Sequence, residues 1–240
     1  MELCIELLNN MTLQEAIVAR HSVRQYQEKP IEAGIVKRLE EEIALCNREG
    51  GLHIQLVLDE PKAFTGGMVK YGRFAGVRNY LAMVAPKGAD ERVGYYGQHL
   101  VLLAQTLGLN SCWVGLSVGR QPDRYVIADG EKLHCVVALG YGATQGVQHP
   151  MRPMEKFLGT RTASLRRDDL PDWFRRGMEA AMLAPTAVHQ QKFEFELVDD
   201  HTVAAHARFS LVGWAKLDLG IVKYNFEVGA GKENFKWKEA

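Results

Sequence analysis

The feature that most restricts the fold of this chain is a helix, a turn and a strand that occur twice in the same order. Residues 30–59 read PIEAGIVKRLEEEIALCNREGGLHIQLVLD, and residues 171–199 read PDWFRRGMEAAMLAPTAVHQQKFEFELVD. Each stretch begins with proline, continues with apolar residues at helical spacing and ends in a strand pattern. We interpret the pair as an internal duplication, in which GIVKYNF (220–226) corresponds to GYYGQHL (94–100) and each glycine opens a helix.

Helix and strand patterns alternate along the rest of the chain. Thr12 and Glu15 have the spacing of a capping box, which predicts a short helix just before RHSVRQY. A long buried helix is predicted from Arg92 to Leu109, with Gly108 stopping it. Strands are predicted at LHIQLVLD, YLAMVAP, SCWVGL and HCVVALGYG. The alternation is typical of an α/β or mixed α+β fold, and we expect a mixed sheet flanked by helices.

We expect two similar but unequal halves that pack as one globular unit. The first half comprises residues 1–160, and the second, shorter half comprises residues 161–240. Residues 147–170 are rich in proline, arginine and aspartate and are predicted to be a connector, with the basic run 161–167 as its solvated face. Residues 62–78 contain four glycines and four basic side chains without periodicity. They predict a mobile loop and a candidate lid.

Composition argues against several classes of protein. The 240 residues carry 29 basic and 29 acidic side chains, and this balance removes the electrostatic argument for a nucleic-acid-binding protein. The four cysteines form no CxxC pair, and the eight histidines show no metal-ligand spacing. No apolar run approaches the roughly 20 residues that span a bilayer, and the N-terminus lacks the basic start of a secretory signal. We therefore expect a cytoplasmic protein with no metal and no membrane partner.

A basic cluster lies where the first helix is predicted to end and an extended segment to begin. It consists of Arg20, His21, Ser22 and Arg24. Two guanidiniums and a hydroxyl close together suit a phosphate, because arginine presents a planar fork of donors that matches phosphate oxygens. The alternative is a solvated basic turn, and spacing alone favours that alternative.

Five stretches of the sequence resemble segments of the FMN-dependent nitroreductase family. AIVARHSVRQYQEKPI resembles the arginine-rich segment that grips the flavin phosphate, and QHLVLLAQTLGLNSCWVGL is similar to the long central helix and the strand after it. ALGYGATQGVQHPMRPMEKFL looks like the closing strand and tail of the family. APTAVHQQKFEFEL resembles its Ala-Pro-Ser turn, and LDLGIVKYNF resembles its Asp-x-Gly helix start. Together these stretches cover most of the chain.

The resemblance implies a flavoprotein oxidoreductase. Its FMN would be reduced by NADH or NADPH and reoxidised by a small electron-poor acceptor such as a nitroaromatic or a quinone. No catalytic side chain is expected, because FMN itself carries the hydride chemistry.

The position of the Ala-Pro turn in the chain bears on assembly. Family members are homodimers in which the neighbouring chain supplies this turn, and in sequence the turn follows soon after the arginine-rich segment. Here the turn is missing from residues 41–55 and appears in the second half. We therefore infer an intramolecular pseudo-dimer with one complete flavin site, similar to nitroreductases built as a single chain with duplicated halves. Further self-association stays open.

The resemblance also assigns candidate cofactor-binding residues. Those on the phosphate side are Arg20, His21, Ser22, Arg24 and Arg152, and those bordering the isoalloxazine ring and ribityl chain are Pro185, Thr186, His189 and Gln191. The small residues around Tyr141, namely Gly140, Gly142 and Ala143, would let a backbone amide reach the ring edge, although an ordinary turn is the alternative. Asn79 would contact the pyrimidine edge or else cap a strand.

Other functions were weighed against this one. The chain would bind flavin without turnover, as a storage or sensing protein, if the unusual His189 and Met151 alter the site. GLSVG (115–119) fits the G-x-S-x-G pattern of a serine hydrolase around Ser117, but neither a following helix nor an HGGG-type loop is predicted. GYGATQG has one residue too many for a Rossmann dinucleotide site and also lacks the helix.

Overall fold

The computed structural model describes residues 11–64, 73–115, 123–165 and 169–238. In these residues the helices are α1 (Leu13–Ala19), α2 (Ala33–Gly50), α3 (Asp90–Thr106), α4 (Thr160–Ala163), α5 (Asp172–Met182) and α6 (Ala215–Ala230). The strands are β1 (His53–Val57), β2 (Asn79–Pro86), β3 (Asn110–Val114), β4 (Glu131–Gly140), β5 (Phe193–Asp199), β6 (Thr202–Ala207) and β7 (Lys236–Trp237). The predicted mixed α+β fold is confirmed. Within the described ranges, no helix is long and apolar enough to cross a lipid bilayer.

Strands β1 to β4 form a four-stranded antiparallel sheet in the order β1-β2-β4-β3. Strand β2 lies inside this sheet and is buried along all but its last residue, which explains its unbroken apolar sequence. Its side chains alternate between two cores. Leu81 and Met83 pack with α3, α5 and α6 on one face, whereas Tyr80 and Ala82 belong to a second apolar cluster on the other face.

Strands β5 to β7 form a second, smaller sheet in the order β5-β6-β7. Strands β5 and β6 are antiparallel, and the short β7 runs parallel to β6. Phe193 and Phe195 are buried at alternate positions of β5, as a strand with one buried face requires. On the other edge of β5, Leu158 forms a parallel bridge with Phe195, so the chain leaving the first half joins the second sheet.

The predicted connector is packed on the second sheet. The ring of Phe157 stacks on that of Phe193 with centroids 4.7 Å apart. Thr162 is fully buried, and its Oγ1 accepts a hydrogen bond of 2.7 Å from the amide of Leu197. Arg161 is exposed, as expected for a solvated face, whereas residues 166–168 lie outside the described residues. The connector therefore helps to position the second sheet.

Local signals in the sequence set the ends of two helices. Thr12 and Glu15 form the predicted capping box, in which each side chain bonds the backbone of the other. Helix α2 ends at Gly50, and Gly51 follows in the left-handed conformation with φ 58°. The predicted capping box is thus confirmed.

Helices α3 and α6 cross at two glycines. A Cβ atom on Gly94 would lie 2.0 Å from the carbonyl oxygen of Leu217, and one on Gly220 would lie 1.9 Å from that of Glu91. The two backbones are therefore in direct contact, and no side chain fits at either position. The prediction that Gly94 and Gly220 open their helices was wrong, because both lie inside them. Close helix approach, rather than helix initiation, requires glycine here.

Candidate functional site

Arg20 ends helix α1 with an extended backbone and is only 4% exposed. Its Nη1 atom is buried and has no hydrogen-bond partner in the part of the chain that the structure describes. Burial lowers the pKa of its guanidinium to about 10, so the side chain stays charged at neutral pH. A buried charge without a partner is costly, and the arrangement therefore suits an anionic ligand.

Two other residues of the basic cluster, Ser22 and Arg24, lie near the thiol of Cys112. Burial raises the pKa of Cys112, and Arg24, Ser22 and Arg20 act on it in the opposite direction. Ser22 also forms a parallel bridge with Ser111 on β3. Arg24 is exposed. Three of the predicted phosphate ligands thus lie around the same point on β3.

The segment after Arg20 continues along the turn at residues 140–143. Tyr26 forms an antiparallel bridge with Gly142, and the Gln27 amide donates to the Tyr141 carbonyl over 2.8 Å. The structure therefore brings the basic cluster and the glycine turn, which are about 120 residues apart in sequence, to one side of the first sheet.

The backbone amides of the glycine turn are already bonded within the protein. The Gly142 amide donates to Asn110 Oδ1 at 2.9 Å, and the Ala143 amide donates to the Gln25 carbonyl at 2.8 Å. A Cβ on Gly142 would lie 2.4 Å from the Thr144 carbonyl oxygen, so only glycine fits there. In this arrangement neither amide is available to a flavin ring.

Asn79 lies beside Gly140 at the start of this turn. Asn79 is buried, and its Oδ1 accepts from the Asp59 amide at 3.2 Å, which is the strand-capping role. The Asn79 Nδ2 atom faces Gly140, 3.9 Å from the place of a Cβ. The Tyr141 hydroxyl is buried without a partner among the described residues, and the ammonium of Lys29 lies 4.2 Å from its ring centre.

The Ala-Pro turn of the second half has an unusual backbone. After α5, a short 3₁₀ turn covers Ala187–His189, and Val188, His189 and Gln191 have φ values of 45°, 56° and 50°. Such angles cost non-glycine residues roughly 1–3 kcal/mol each and are concentrated at functional sites. The amide of Gln191 donates to Thr186 Oγ1 at 3.1 Å, which closes the turn.

The carboxylate of Asp218 on α6 accepts hydrogen bonds from this turn. Its Oδ1 accepts from the Ala187 amide at 3.0 Å, and its Oδ2 accepts from Gln190 Nε2 at 2.7 Å. Asp218 is 2% exposed, and burial raises the pKa of its carboxyl to about 6, although the bonds from Gln190 and Ala187 oppose the shift. The carboxyl therefore positions the turn and need not contact a ligand.

Two histidines that are 40 residues apart in sequence lie against each other beside this turn. The rings of His149 and His189 lie 4.2 Å apart, and His189 Nε2 donates to the Pro150 carbonyl at 3.1 Å. On the other side, His21 lies against Gly146, where a Cβ would be 2.8 Å from that of His21. Burial and neighbouring positive groups lower the pKa of both His21 and His189, which favours neutral rings at pH 7.

Several buried polar atoms of candidate site residues and their neighbours have no partner in the described part of the chain. The Gln191 side chain is 3% exposed, yet neither its Nε2 nor its Oε1 is hydrogen-bonded. The same holds for Ser111 Oγ, Tyr141 Oη and His149 Nε2. Buried polar atoms are nearly always satisfied in native proteins, so a group of exceptions indicates a place for a polar ligand.

A cleft of about 380 Å³ opens beside Gln191 and Arg152. Its other cationic side chains are Lys156, Lys192 and Arg208. Arg208 pairs with Glu194 over 2.8 Å, which leaves a net positive lining. The cleft therefore favours an anionic group.

Two sequence predictions fall wholly or partly outside the described residues. Ser117 lies in the undescribed stretch 116–122, so its role in a hydrolase stays untested. Of the candidate lid at 62–78, residues 65–72 are likewise outside. Ala75, just beyond them, bonds the backbone of Arg24 over 3.0 Å, which places this end of the loop beside the basic cluster.

Sequence reasoning missed Asp218 and the three cations of the cleft. In the sequence, Asp218 was noted only as part of an Asp-x-Gly helix start. Its contact with the turn depends on the packing of α6 against α5, which no local pattern reveals. Lys156, Lys192 and Arg208 are scattered singly among apolar and acidic neighbours, so no local charge run marked them.

Comparison with known proteins supports the same family. The sequence matches the family described as "Putative TM nitroreductase" over residues 12–230. No curated protein matches significantly. A "putative nitroreductase" from Thermotoga maritima has a similar fold, with TM-score 0.62 and 20% identity over 93% of this chain and 85% of that chain.

Two further solved structures are more distant. The NfrA1 nitroreductase from B. subtilis gives TM-score 0.50 and 15% identity over 66% of this chain and 77% of that chain. A "putative nitroreductase" in complex with FMN from Desulfovibrio desulfuricans gives TM-score 0.47 and 17% identity over 61% of this chain and 95% of that chain. Because the family match covers residues 12–230, this chain belongs to the nitroreductase family described above.

Proposed function

We propose that this protein is an FMN-dependent oxidoreductase that passes electrons from NADH or NADPH to a small electron-poor acceptor of the nitroaromatic or quinone type. The observation that carries the proposal is the buried guanidinium of Arg20, whose Nη1 atom is unpartnered in the described part of the chain. Membership of the nitroreductase family supports it. A phosphate is the anionic part of FMN and would satisfy this atom.

The residues around Arg20 fit a phosphate. Ser22 offers a hydroxyl, and Arg24 adds a second guanidinium beside the same thiol, Cys112. His21 is half-buried and can donate one hydrogen bond when neutral. The site therefore combines one buried charge for affinity with neutral donors that fix orientation.

The residues of the second half fit the polar edge of a flavin ring or its ribityl chain. An amide such as Gln191 offers one acceptor and two donors, and a flavin pyrimidine ring presents both donors and acceptors. The strained turn aims this amide inward, because Asp218 fixes the preceding residues from α6. Pro185 and Thr186 complete the wall next to it.

The chain would contribute binding and orientation rather than an acid or a base. FMN supplies, when bound, a ring nitrogen that accepts and returns a hydride. Arg20 and its neighbours would anchor the phosphate, and Gln191 would set the position of the ring. The cationic cleft at Arg152, Lys192 and Arg208 would favour approach of an anionic donor such as NADH or NADPH.

We further propose that the site is shared between two halves, residues 1–160 and 161–240, of a single-chain pseudo-dimer. Two contacts support this arrangement. Helices α3 and α6 cross reciprocally at Gly94 and Gly220, and His149 meets His189 at the junction. Each half would supply one side of a single cofactor site.

A second candidate is a protein that holds flavin without turnover. It is favoured by the engaged amides of Gly142 and Ala143, because these donors cannot then stabilise negative charge on a reduced ring. Anaerobic mixing of the purified yellow protein with NADH and NADPH separates the candidates. Bleaching of the flavin band near 450 nm, about the value for the free cofactor, supports the reductase; an unchanged band with both donors supports storage.

The binding site is tested by flavin retention. We expect the Arg20→Ala, Arg24→Ala double variant to lose FMN on gel filtration, because both guanidiniums of the cluster are removed. Arg48→Ala, an exposed arginine on α2, is the control and should keep FMN. A folded double variant with full flavin occupancy would refute the phosphate assignment.

A further inference from the structure

Three metal-binding side chains lie together between α2 and α3. Glu42 and Cys46 are one helical turn apart on α2, and His99 reaches them from α3. One possible ligand atom from each lies within 4.8 Å of the other two. His99 Nε2 is 2.6 Å from Glu42 Oε1.

We propose that Glu42, Cys46 and His99 bind one zinc ion, with a fourth position open to water. Zinc prefers nitrogen, sulfur and carboxylate ligands in tetrahedral geometry, and three protein ligands plus water is an established arrangement. The i and i+4 positions of a helix present two ligands on one face, as in other helical zinc sites. The remaining ligand then comes from the neighbouring helix.

The surroundings of His99 match those of a metal ligand. Its Nδ1 atom is hydrogen-bonded to the hydroxyl of Tyr224 on α6, so Nε2 is the atom that faces Glu42 and Cys46. With zinc on Nε2, the Nδ1 proton is donated to the Tyr224 oxygen, which fixes the tautomer and the ring. Arg38 lies 3.6 Å from the second oxygen of Glu42 and balances its charge.

The three side chains differ in their exposure to solvent. Cys46 is 2% exposed, whereas the side chains of Glu42 and His99 are 13% and 25% exposed, so the thiol is protected but the site is reachable. Zinc binding forms the Zn–S bond and releases the thiol proton to solvent, and no electron transfer is involved.

This inference does not depend on the proposed flavin chemistry. Bound zinc would link α2 to α3, and through Tyr224 to α6, so its expected role is to stabilise the helical layer. Sequence analysis predicted no metal site because His99 is 57 residues from Glu42 and the histidines alone show no ligand spacing.

Zinc affinity of the untagged full-length protein tests the site. The protein is stripped with EDTA, exchanged into chelator-free buffer and titrated with zinc against a chromophoric chelator. We expect one equivalent to bind, and binding at least about 100-fold weaker in Cys46→Ala. Cys135→Ala, a buried cysteine on β4, is the matched control and should bind as the wild type does. Zinc should also raise the melting temperature of the wild type and of this control but not of Cys46→Ala.

Cobalt gives a spectroscopic readout of the thiol. A difference spectrum after cobalt addition should show a thiolate-to-cobalt charge-transfer band that disappears in Cys46→Ala. If Cys46→Ala does not fold, Glu42→Gln provides the comparison and should also weaken zinc binding. Equal zinc affinity in the wild type and the folded variant, no binding at micromolar zinc, or loss of zinc in His149→Ala alone would each overturn the proposal.

Discussion

Gly94 on α3 and Gly220 on α6 lie face to face, and each contacts the carbonyl of the residue three positions before the other. The reciprocity extends to the next residues, since a Cβ on Gly94 would also lie 3.0 Å from the Ile221 amide and one on Gly220 would lie 2.6 Å from the Tyr95 amide. Such a crossing is expected on a local two-fold axis. It is consistent with a pseudo-dimer. The packing of α3 against α6 therefore depends on glycine at these two positions.

Gly220→Ala should be strongly destabilising. The new methyl group would overlap the Glu91 carbonyl, and backbone cannot move aside as a flexible side chain does. We expect a loss of about 3 kcal/mol in the free energy of unfolding, measured by urea denaturation. Gly34→Ala on α2 is the control: a Cβ there meets nothing within 4 Å, so we expect a gain of about 0.5–1 kcal/mol. A neutral Gly220→Ala variant would contradict the described crossing.

Asp218→Asn should remove a pH dependence of stability. Because the folded-state pKa of about 6 is above the usual 3.8, the folded protein binds this proton more tightly than the unfolded chain does. The resulting stabilisation is fully present below about pH 4 and is lost as pH rises through 6, by an amount on the order of 3 kcal/mol. Urea denaturation at pH 4.5 and 7.5 should show this decline in the wild type relative to Asp218→Asn. An identical decline in both proteins would refute the assignment.

Arg20→Met should weaken FMN without unfolding the protein. Methionine keeps much of the buried apolar length but removes the charge, so about 1.5–3 kcal/mol of binding free energy should be lost. This corresponds to roughly 10- to 150-fold weaker binding in a fluorescence titration. Arg20→Lys keeps the charge but lacks the planar fork of donors. Its affinity for FMN should therefore lie between those of the wild type and Arg20→Met. If Arg20→Met binds FMN as tightly as the wild type does, the Arg20 guanidinium does not bind the FMN phosphate.

Gln191→Met should separate stability from binding. In the flavin-free protein, the buried amide of Gln191 has no partner among the described residues, so its replacement by an apolar side chain of similar size should raise the free energy of unfolding by about 1 kcal/mol. The same change should weaken FMN, because the ligand loses its partner. Denaturation of the apoprotein and titration with FMN measure the two effects. A variant that is less stable and binds FMN normally would argue for a purely structural glutamine.

The elements of the fold were predictable because their signals are local. The capping box at Thr12 and the apolar strand at YLAMVAP each depend on a few adjacent residues, and both were confirmed. The role of Gly94 and Gly220 was not predictable from propensity. A glycine inside a helix looks like a helix breaker until its partner helix is known.

The candidate site was predictable only in part, for a related reason. Arg20 and Gln191 stood out through resemblance to a family motif. Asp218 did not, because its contacts to Ala187 and Gln190 span about 30 residues and depend on how α6 packs. The pairing of Glu42 with His99 was not predictable for the same reason, because ligands on two separate helices have no characteristic spacing in the sequence.

Asp218 and Gly220 are two residues apart in the first two turns of α6. The same short part of α6 therefore provides both the glycine that contacts the α3 backbone and the carboxylate that holds the strained turn. A shift of α6 by even one residue would move Asp218 away from Ala187 and Gln190 while placing bulky side chains against the α3 backbone. Adaptation to ligands of different size should accordingly alter residues 185–191 themselves and leave the register of the two helices unchanged.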